Sequence, residues 1–258
     1  MLLILHRQVV QRWINSSHYD RFGVYLSSSA EDIVWSIVVA IFSVGGMLGG
    51  LCCGWIADRV GRKRGMILSS VIALIAALIL GVSKVSNIYF LLMIGRFIIG
   101  FACGIVTGLA PMYLVEITPV RLRGTFGTLH QLMITISMWI SQLLGLPEVL
   151  GSDALWPVLF AFTAAPSVYQ LALYRFVPES PRYFLTQGRE SDAEEVLAKL
   201  RQSSTDFVTN ELNAMKAEAQ HSGVQVKYKD LLTHYCFAWP LFISIIMMFS
   251  QQLSGINV

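Results

Sequence analysis

Long apolar runs separated by short polar stretches dominate this chain. Six of them, roughly Ile33 to Ala57, Met66 to Val82, Tyr89 to Val115, Thr125 to Leu146, Trp156 to Phe176 and Phe237 to Val258, reach or approach the about 20 helical residues needed to cross a hydrocarbon core. Backbone groups in lipid must be satisfied within each segment, so these runs predict a polytopic helical bundle. Between Pro178 and Tyr235 the pattern changes. "ESDAEEVLAKLRQ" (190–202) and "FVTNELNAMKAEAQ" (207–220) set Ala193, Val196, Leu197 and Leu200, then Val208, Leu212 and Met215, at helical spacing among charges. Two short amphipathic helices outside the membrane are predicted there, joining the fifth run to the sixth.

Composition agrees with the pattern. With 55% hydrophobic and only 14% charged residues in 258, the chain lacks the polar surface of an ordinary soluble domain. The net charge of +3 resides in loops between spans and gives no argument for nucleic acid. Cys52, Cys53, Cys103 and Cys236 have no histidine or carboxylate at ligand spacing, so they predict packing residues and not a metal site or disulfide framework. No activated nucleophile, paired carboxylate or metal cluster suggests an enzyme, and no cofactor is expected.

The basic residues set a topology. "DRVGRKRG" (58–65) holds four, "EITPVRLRG" (116–124) holds two, and the segment after Phe176 is rich in them, whereas "SKVSN" (83–87) has one and "PEVLGSDAL" (147–155) none. The positive-inside rule puts the first set in the cytosol and residues 7 to 32 outside. "MLLIL" (1–5) is too short for a span and lacks the basic flank of a signal peptide. The triplet Asn15-Ser16-Ser17 on the outer side matches a glycosylation acceptor, with chance as the competing account.

Small and polar residues inside the spans refine this picture. Gly46, Gly50 and Gly54 in the first span, and Gly100, Gly104 and Gly108 in the third, recur every four residues and predict smooth faces for close helix packing. Polar side chains in lipid are costly and tend to face the bundle interior or a water-filled path. Gln131, Thr135, Met138 and Gln142 fall on one face of the fourth span. An amide stripe suits neutral, hydroxyl-rich ligands, since amides donate and accept without carrying charge; interhelical hydrogen bonding is the competing account. His130 stands beside Gln131 without a titratable companion, and Arg96 lies within the third span, where it either pairs or snorkels to the surface. A second amide cluster, Gln251, Gln252 and Asn257, closes the chain, and Gly255 supplies a helix break that would let these residues converge.

The motifs "VAIFSVGGMLGG", "DRVGRKRG", "GRFIIGFACG", "PMYLVEITPVRLRGTFGTLHQL", "PESPRYFL" and "QQLSGIN", in that order, resemble the facilitative glucose transporters of the major facilitator superfamily. The similarity runs from about Val34 to the last residue. It implies an all-α membrane protein comprising the N-terminal helical half of that fold, cytosolic helices and the start of the seventh transmembrane helix. The implied organisation is 1–32, a remnant of the first helix and an extracellular loop; 33–177, the transmembrane bundle of the family's second to sixth helices; 178–236, a cytosolic helical linker; and 237–258, a partial seventh transmembrane helix.

The resemblance further implies sugar contacts at Gln131, Gln251, Gln252 and Asn257, with the leucine and serine after the paired glutamines favouring glucose over fructose. It implies a conformational ion-pair network of Arg62, Glu116, Arg123, Glu179 and Arg182, for which simple positive-inside anchoring is the alternative. The expected function is facilitated hexose transport by alternating access in the plasma membrane, with this chain a partial transporter. The alternatives are a truncated isoform that transports nothing and associates with full-length transporter, and a fragment of a proton-coupled sugar symporter. Expected partners are D-glucose or a related hexose, membrane lipid, and either full-length transporter or a homo-oligomer.

Overall fold

The computed structural model describes residues 7–146, 148–150, 152, 155–201, 205–222 and 235–253. The described residues are helical throughout their regular elements: α1 (Arg7–Phe22), α2 (Ser28–Arg59), α3 (Arg62–Val85), α4 (Tyr89–Ile117), a 3₁₀ turn (Val120–Leu122), α5 (Arg123–Leu144), α6 (Trp156–Ala161), α7 (Ala164–Leu173), α8 (Pro181–Thr186), α9 (Glu190–Arg201), α10 (Thr205–Ser222) and α11 (Tyr235–Leu253). The predicted all-α class is what the structure has.

Boundaries follow local chemistry. Ser27 caps α2 by accepting the Ala30 N–H. Gly61, at φ 98°, turns the chain between α2 and α3 in a region that side chains avoid. Pro119 follows the end of α4, where it cannot continue the helical hydrogen bonding.

Among the described residues, four helical stretches are long and apolar enough to cross a membrane: α2, α3, α4, and Trp156–Leu173, which comprises α6 and α7. The sequence predicts six. The fourth apolar run is present as α5, 22 residues long, but its threonines, serines, glutamines and histidine lower its apolar character below that of a typical span. The sixth is present as α11, of which Ala238–Ser250 forms a shorter apolar stretch.

The sequence predicts for 1–32 a remnant of the first helix followed by an extracellular loop, and the structure has a helix over Arg7–Phe22 with Val10, Gln11, Ile14 and Ser17 buried. It is pinned at several points: Arg7 to Asp32 at 2.7 Å, Ser17 Oγ to the Asn87 carbonyl at 2.7 Å, and Asn87 Nδ2 to Asp20 at 2.7 Å.

α2 and α4 form the closest seam in the molecule. A Cβ placed on Gly45, Gly49, Gly100 or Gly104 would collide with the backbone carbonyls of Phe97, Phe101, Phe42 or Gly46 respectively, and one on Gly108 would strike the Cys53 sulfur. Gly100, Gly104 and Gly108 therefore form the predicted contact face of α4. On α2 the face is shifted by one position: Gly45 and Gly49 touch the neighbour, while Gly50 and Gly54 meet nothing within 4 Å. The period of four was legible, but the helix rotation was not, since two overlapping glycine series share that period.

Two apolar clusters fill the bundle. Trp35, Val38, Leu80, Leu92 and Trp156 pack near the Asn87 end, joined by Val10 and Ile14 of α1. Ile56, Met66, Ile105, Leu109 and Tyr113 pack towards the Arg62 end. Beyond that end, Ala193, Leu197, Val208, Leu212 and Met215 make a small core of their own between α9 and α10, as their spacing predicts.

Candidate functional site

The structure places the candidate residues in two polar regions of opposite character. The first lies where α2, α3 and α4 meet the segment leading into α8. Arg62 opens α3 and Glu116 lies one residue from the end of α4, and both are buried, with side chains 9% exposed. The guanidinium faces the carboxylate in a forked arrangement: Nε lies 3.0 Å from Oε2 and 3.2 Å from Oε1, and Nη2 lies 3.0 Å from Oε1. Nη1 donates to the Ala57 carbonyl at 3.0 Å, so the charge is also held against the last turn of α2. Such a bidentate pair gains both strength and orientation over a single contact.

Sequence reasoning missed the third member. Ser180, fully buried, donates its hydroxyl to Glu116 Oε2. A serine in a polar loop carries no special signal by itself, and the long separation from Glu116 hides the contact.

Glu179, which the resemblance puts in the ion-pair network, bonds backbone amides in this arrangement. Its Oε1 accepts the backbone N–H of Lys63 at 2.8 Å and that of Ser180 at 3.0 Å, while Oε2 lies 3.5 Å from the Arg64 N–H. It therefore caps the N-terminus of α3, where unpaired amides and the helix dipole favour an anion. Gly61 makes room for it, since a Cβ there would sit 2.7 Å from Glu179 Oε2.

Tyr113 donates to the Pro178 carbonyl at 2.7 Å and fastens the same segment from the α4 side. Arg182 stands in the first turn of α8. Arg123 begins α5, and its buried Nε has no hydrogen-bond partner among the described residues. The structure thus joins Arg62 with Glu116 and brings Glu179 beside them, but does not bring Arg123 into that cluster.

The amphipathic helices attach to the same end. Arg201 pairs with Glu211 through Nε at 2.9 Å and Nη2 at 2.7 Å, and its Nη1 donates to the Ile117 carbonyl at 2.9 Å. That last bond satisfies an orphan carbonyl at the C-terminus of α4 with a cation, as the helix dipole favours.

The second region is open. α5 contains no buried residue, and Gln131, Thr135 and Met138 are exposed while Gln142 is half-buried. A groove of about 690 Å³ runs between α2, α4, α5 and α7; His130, Ser137, Met138, Ser141 and Gln142 line its α5 wall, and Gln170 stands opposite on α7. Gln131 lies outside that lining.

A neighbouring cavity of about 440 Å³ shares Phe42, Cys103, Val106 and Gln170 with the groove and adds Arg96, Thr107 and Thr163. The Arg96 guanidinium lies 4.7 Å over the Phe42 ring, and its buried Nε has no hydrogen-bond partner among the described residues. The guanidinium stays in the cavity lining, where the ring face supplies a partial electrostatic partner. Gln170, whose Oε1 accepts from Ser70 Oγ at 3.1 Å, is an amide within the apolar stretch Trp156–Leu173 that no motif marks in the sequence. The remaining cluster is only partly visible: α11 carries Gln251 and Gln252, whose side chains, like all of Asn257, lie outside the described residues.

Asn15 sits within α1, half-buried, and its Oδ1 accepts the Leu26 N–H at 2.9 Å; Ser17 of the same triplet is buried. Among the described residues no group of three or more His, Cys, Asp or Glu could hold a metal ion.

The comparisons with known proteins agree with this architecture. A family model described as "Sugar (and other) transporter" matches residues 11–258. Facilitated glucose transporter protein 1 of Caenorhabditis elegans is 46% identical over 97% of this chain and 49% of its own length. Solute carrier family 2, facilitated glucose transporter member 1 of Gallus gallus is 39% identical over 97% of this chain and 51% of its own. The chain thus spans about half the length of these curated relatives. Among solved structures, the partially occluded, inward open xylose transporter XylE from E. coli superposes with a TM-score of 0.69 at 23% identity, covering 99% of this chain and 62% of that one. The proton:xylose symporter XylE bound to 6-bromo-6-deoxy-D-glucose gives 0.66 at 24% identity, over 87% and 52%. With this fold, these polar sites and these relatives, the chain belongs to the sugar transporter family, as one half of a major facilitator helical bundle.

Proposed function

We propose that this chain forms half of a plasma-membrane facilitative hexose transporter, with D-glucose as the favoured sugar. In this reading the groove beside α5 is one wall of the sugar path. Gln131, Gln251, Gln252 and Asn257 contribute uncharged donors and acceptors to the hydroxyls, matching a neutral polyol without attracting ions. The observation that carries the reading is the buried fork between Arg62 and Glu116, sealed by Ser180, in a bundle whose neighbouring groove is lined on its α5 wall by uncharged polar side chains. A fully bonded charge pair joining separate helix ends is a two-state element, because it makes its contacts in one arrangement and loses them together in the other. Arg123 and Arg182 stand close by in sequence to the two helix ends that would part or meet. Relatives described as facilitated glucose transporters supply the substrate class.

The test is uptake of labelled D-glucose, with fructose and L-glucose as controls, in transporter-deficient cells. The chain would be expressed alone and together with the unmatched half of the C. elegans relative as a second polypeptide. Saturable D-glucose uptake that needs both polypeptides, and that is lost with Gln131→Leu at equal surface expression, is the expected result. No saturable uptake from verified, membrane-inserted pairs would overturn it.

A further inference from the structure

The groove at the mouth of α3 is unused by any of these roles. It has a volume of about 380 Å³ and is lined by Lys63, Arg64, Ile67, Glu179, Phe184 and Arg189, among others. Its one lining carboxylate, Glu179, is committed to backbone N–H groups. Arg189 is fixed by Asp192 at 2.6 Å and by the Phe184 ring 5.0 Å away. The Lys63 ammonium and the Arg64 guanidinium have no carboxylate at ion-pair distance among the described residues, and with Arg189 they outnumber the single carboxylate of the lining, so the groove carries a surplus of positive charge.

What lies below them decides the occupant. α3 passes directly from these cations into an apolar span. Continuing from Arg64 along one face, Leu68, Val71, Ile75 and Leu78 are all exposed. At about 100° per residue these positions and Arg64 share one narrow stripe, so the cation heads an exposed apolar track. A soluble phosphate would use only the head of such a surface. A phospholipid uses both parts, with its phosphate between Lys63 and Arg64 and an acyl chain along the stripe. The basic loops place this end of α3 on the cytosolic side, where anionic lipids are concentrated.

We propose that Lys63 and Arg64 form a docking site for the headgroup of an anionic phospholipid of the cytosolic leaflet, with Arg189 as its outer wall and the exposed face of α3 as its acyl-chain track. The proposal rests on the span and its flanking charges, not on the transported substrate.

The experiment titrates the purified full chain, in neutral detergent, with dioctanoyl phosphatidylserine, and follows the melting temperature. Dioctanoyl phosphatidylcholine, glycerophosphoserine and inorganic phosphate are the comparison probes. The expected result is saturable stabilisation by phosphatidylserine, with the half-saturating concentration raised about thirtyfold in K63Q/R64Q, from the loss of two cations near a lipid surface. The charge-conserving K63R/R64K variant should stay within about threefold of the wild type, and K199Q, which removes a remote exposed cation, should not shift. Equal binding of phosphatidylcholine, an unshifted K63Q/R64Q, or soluble glycerophosphoserine or phosphate binding as tightly as the lipid would each overturn the proposal. If K63Q/R64Q fails to fold, salt dependence decides on the wild type: phosphatidylserine affinity that does not fall as ionic strength rises excludes an ionic headgroup contact.

Discussion

The two polar regions of this bundle treat their polar groups in opposite ways. Near Arg62, charged groups are taken out of solvent and bonded: the guanidinium meets Glu116 and Ala57, and Glu116 also takes the Ser180 hydroxyl. Along α5, by contrast, the Gln131 amide is exposed, and Ser137, Ser141 and Gln142 line an open groove on a helix with no buried residue. Burial with bonding is the property of a fastening, and exposure is the property of a surface that receives something. The polarity of a residue type does not separate the two cases; its burial and its partners do.

The sharpest way to break the comparison is to disturb the seam that carries both regions. Gly104→Leu would drive a side chain into the Gly46 carbonyl and prevent α2 from approaching α4. We predict a loss beyond about 4 kcal/mol, enough to prevent recovery of monodisperse protein on size-exclusion chromatography after detergent extraction. Gly54→Leu, on the open face, should be recovered normally, and equal damage from both would remove the seam assignment.

Next is the charge pair. Arg62→Leu strands a buried carboxylate, for an expected cost of about 3–5 kcal/mol in a reversible denaturant titration. Restoring much of that loss by the added change Glu116→Leu would identify the cost as an unpaired charge, whereas no recovery would point to packing alone. Ser180→Ala should cost less, about 1.5–3 kcal/mol, because it removes one hydrogen bond to a charged acceptor. That effect should vanish in a Glu116→Leu background, and an additive result would sever Ser180 from the cluster.

At the small end stands Gln131→Leu. Its exposure predicts a stability change within about 0.5 kcal/mol, while hexose affinity in the two-polypeptide assembly should fall about tenfold. A large stability loss with unchanged affinity would place Gln131 with the fastenings and reverse the contrast.

Much of this organisation could be read from the sequence, and the failures have physical causes. Apolar runs located α2, α3, α4 and α11 because lipid and buried helix surfaces both demand them. The run at α5 is present as a helix of 22 residues whose apolarity is diluted by its polar stripe. The extent of α1 was missed because a mixed sequence of modest polarity becomes a helix here through contacts with distant groups: Asp32, Asn87 and the Trp35 cluster. Arg62 and Glu116 were legible through their motifs, but the part played by Glu179 was not. A carboxylate beside several arginines suggests an ion pair, and only the position of the α3 N-terminus shows that backbone amides claim it first.

That claim has a mechanical consequence. Glu179 binds α3 and Ser180 binds Glu116 on α4, so two consecutive residues hold two different helices. Adjacent Cα atoms are about 3.8 Å apart, and a hydrogen bond tolerates only a few tenths of an ångström of stretching. The two attachments therefore lie within one residue of each other, and a displacement of the segment acts on both. The connection from α7 to α8 is thus the point at which the ends of α3 and α4 are tied to one another.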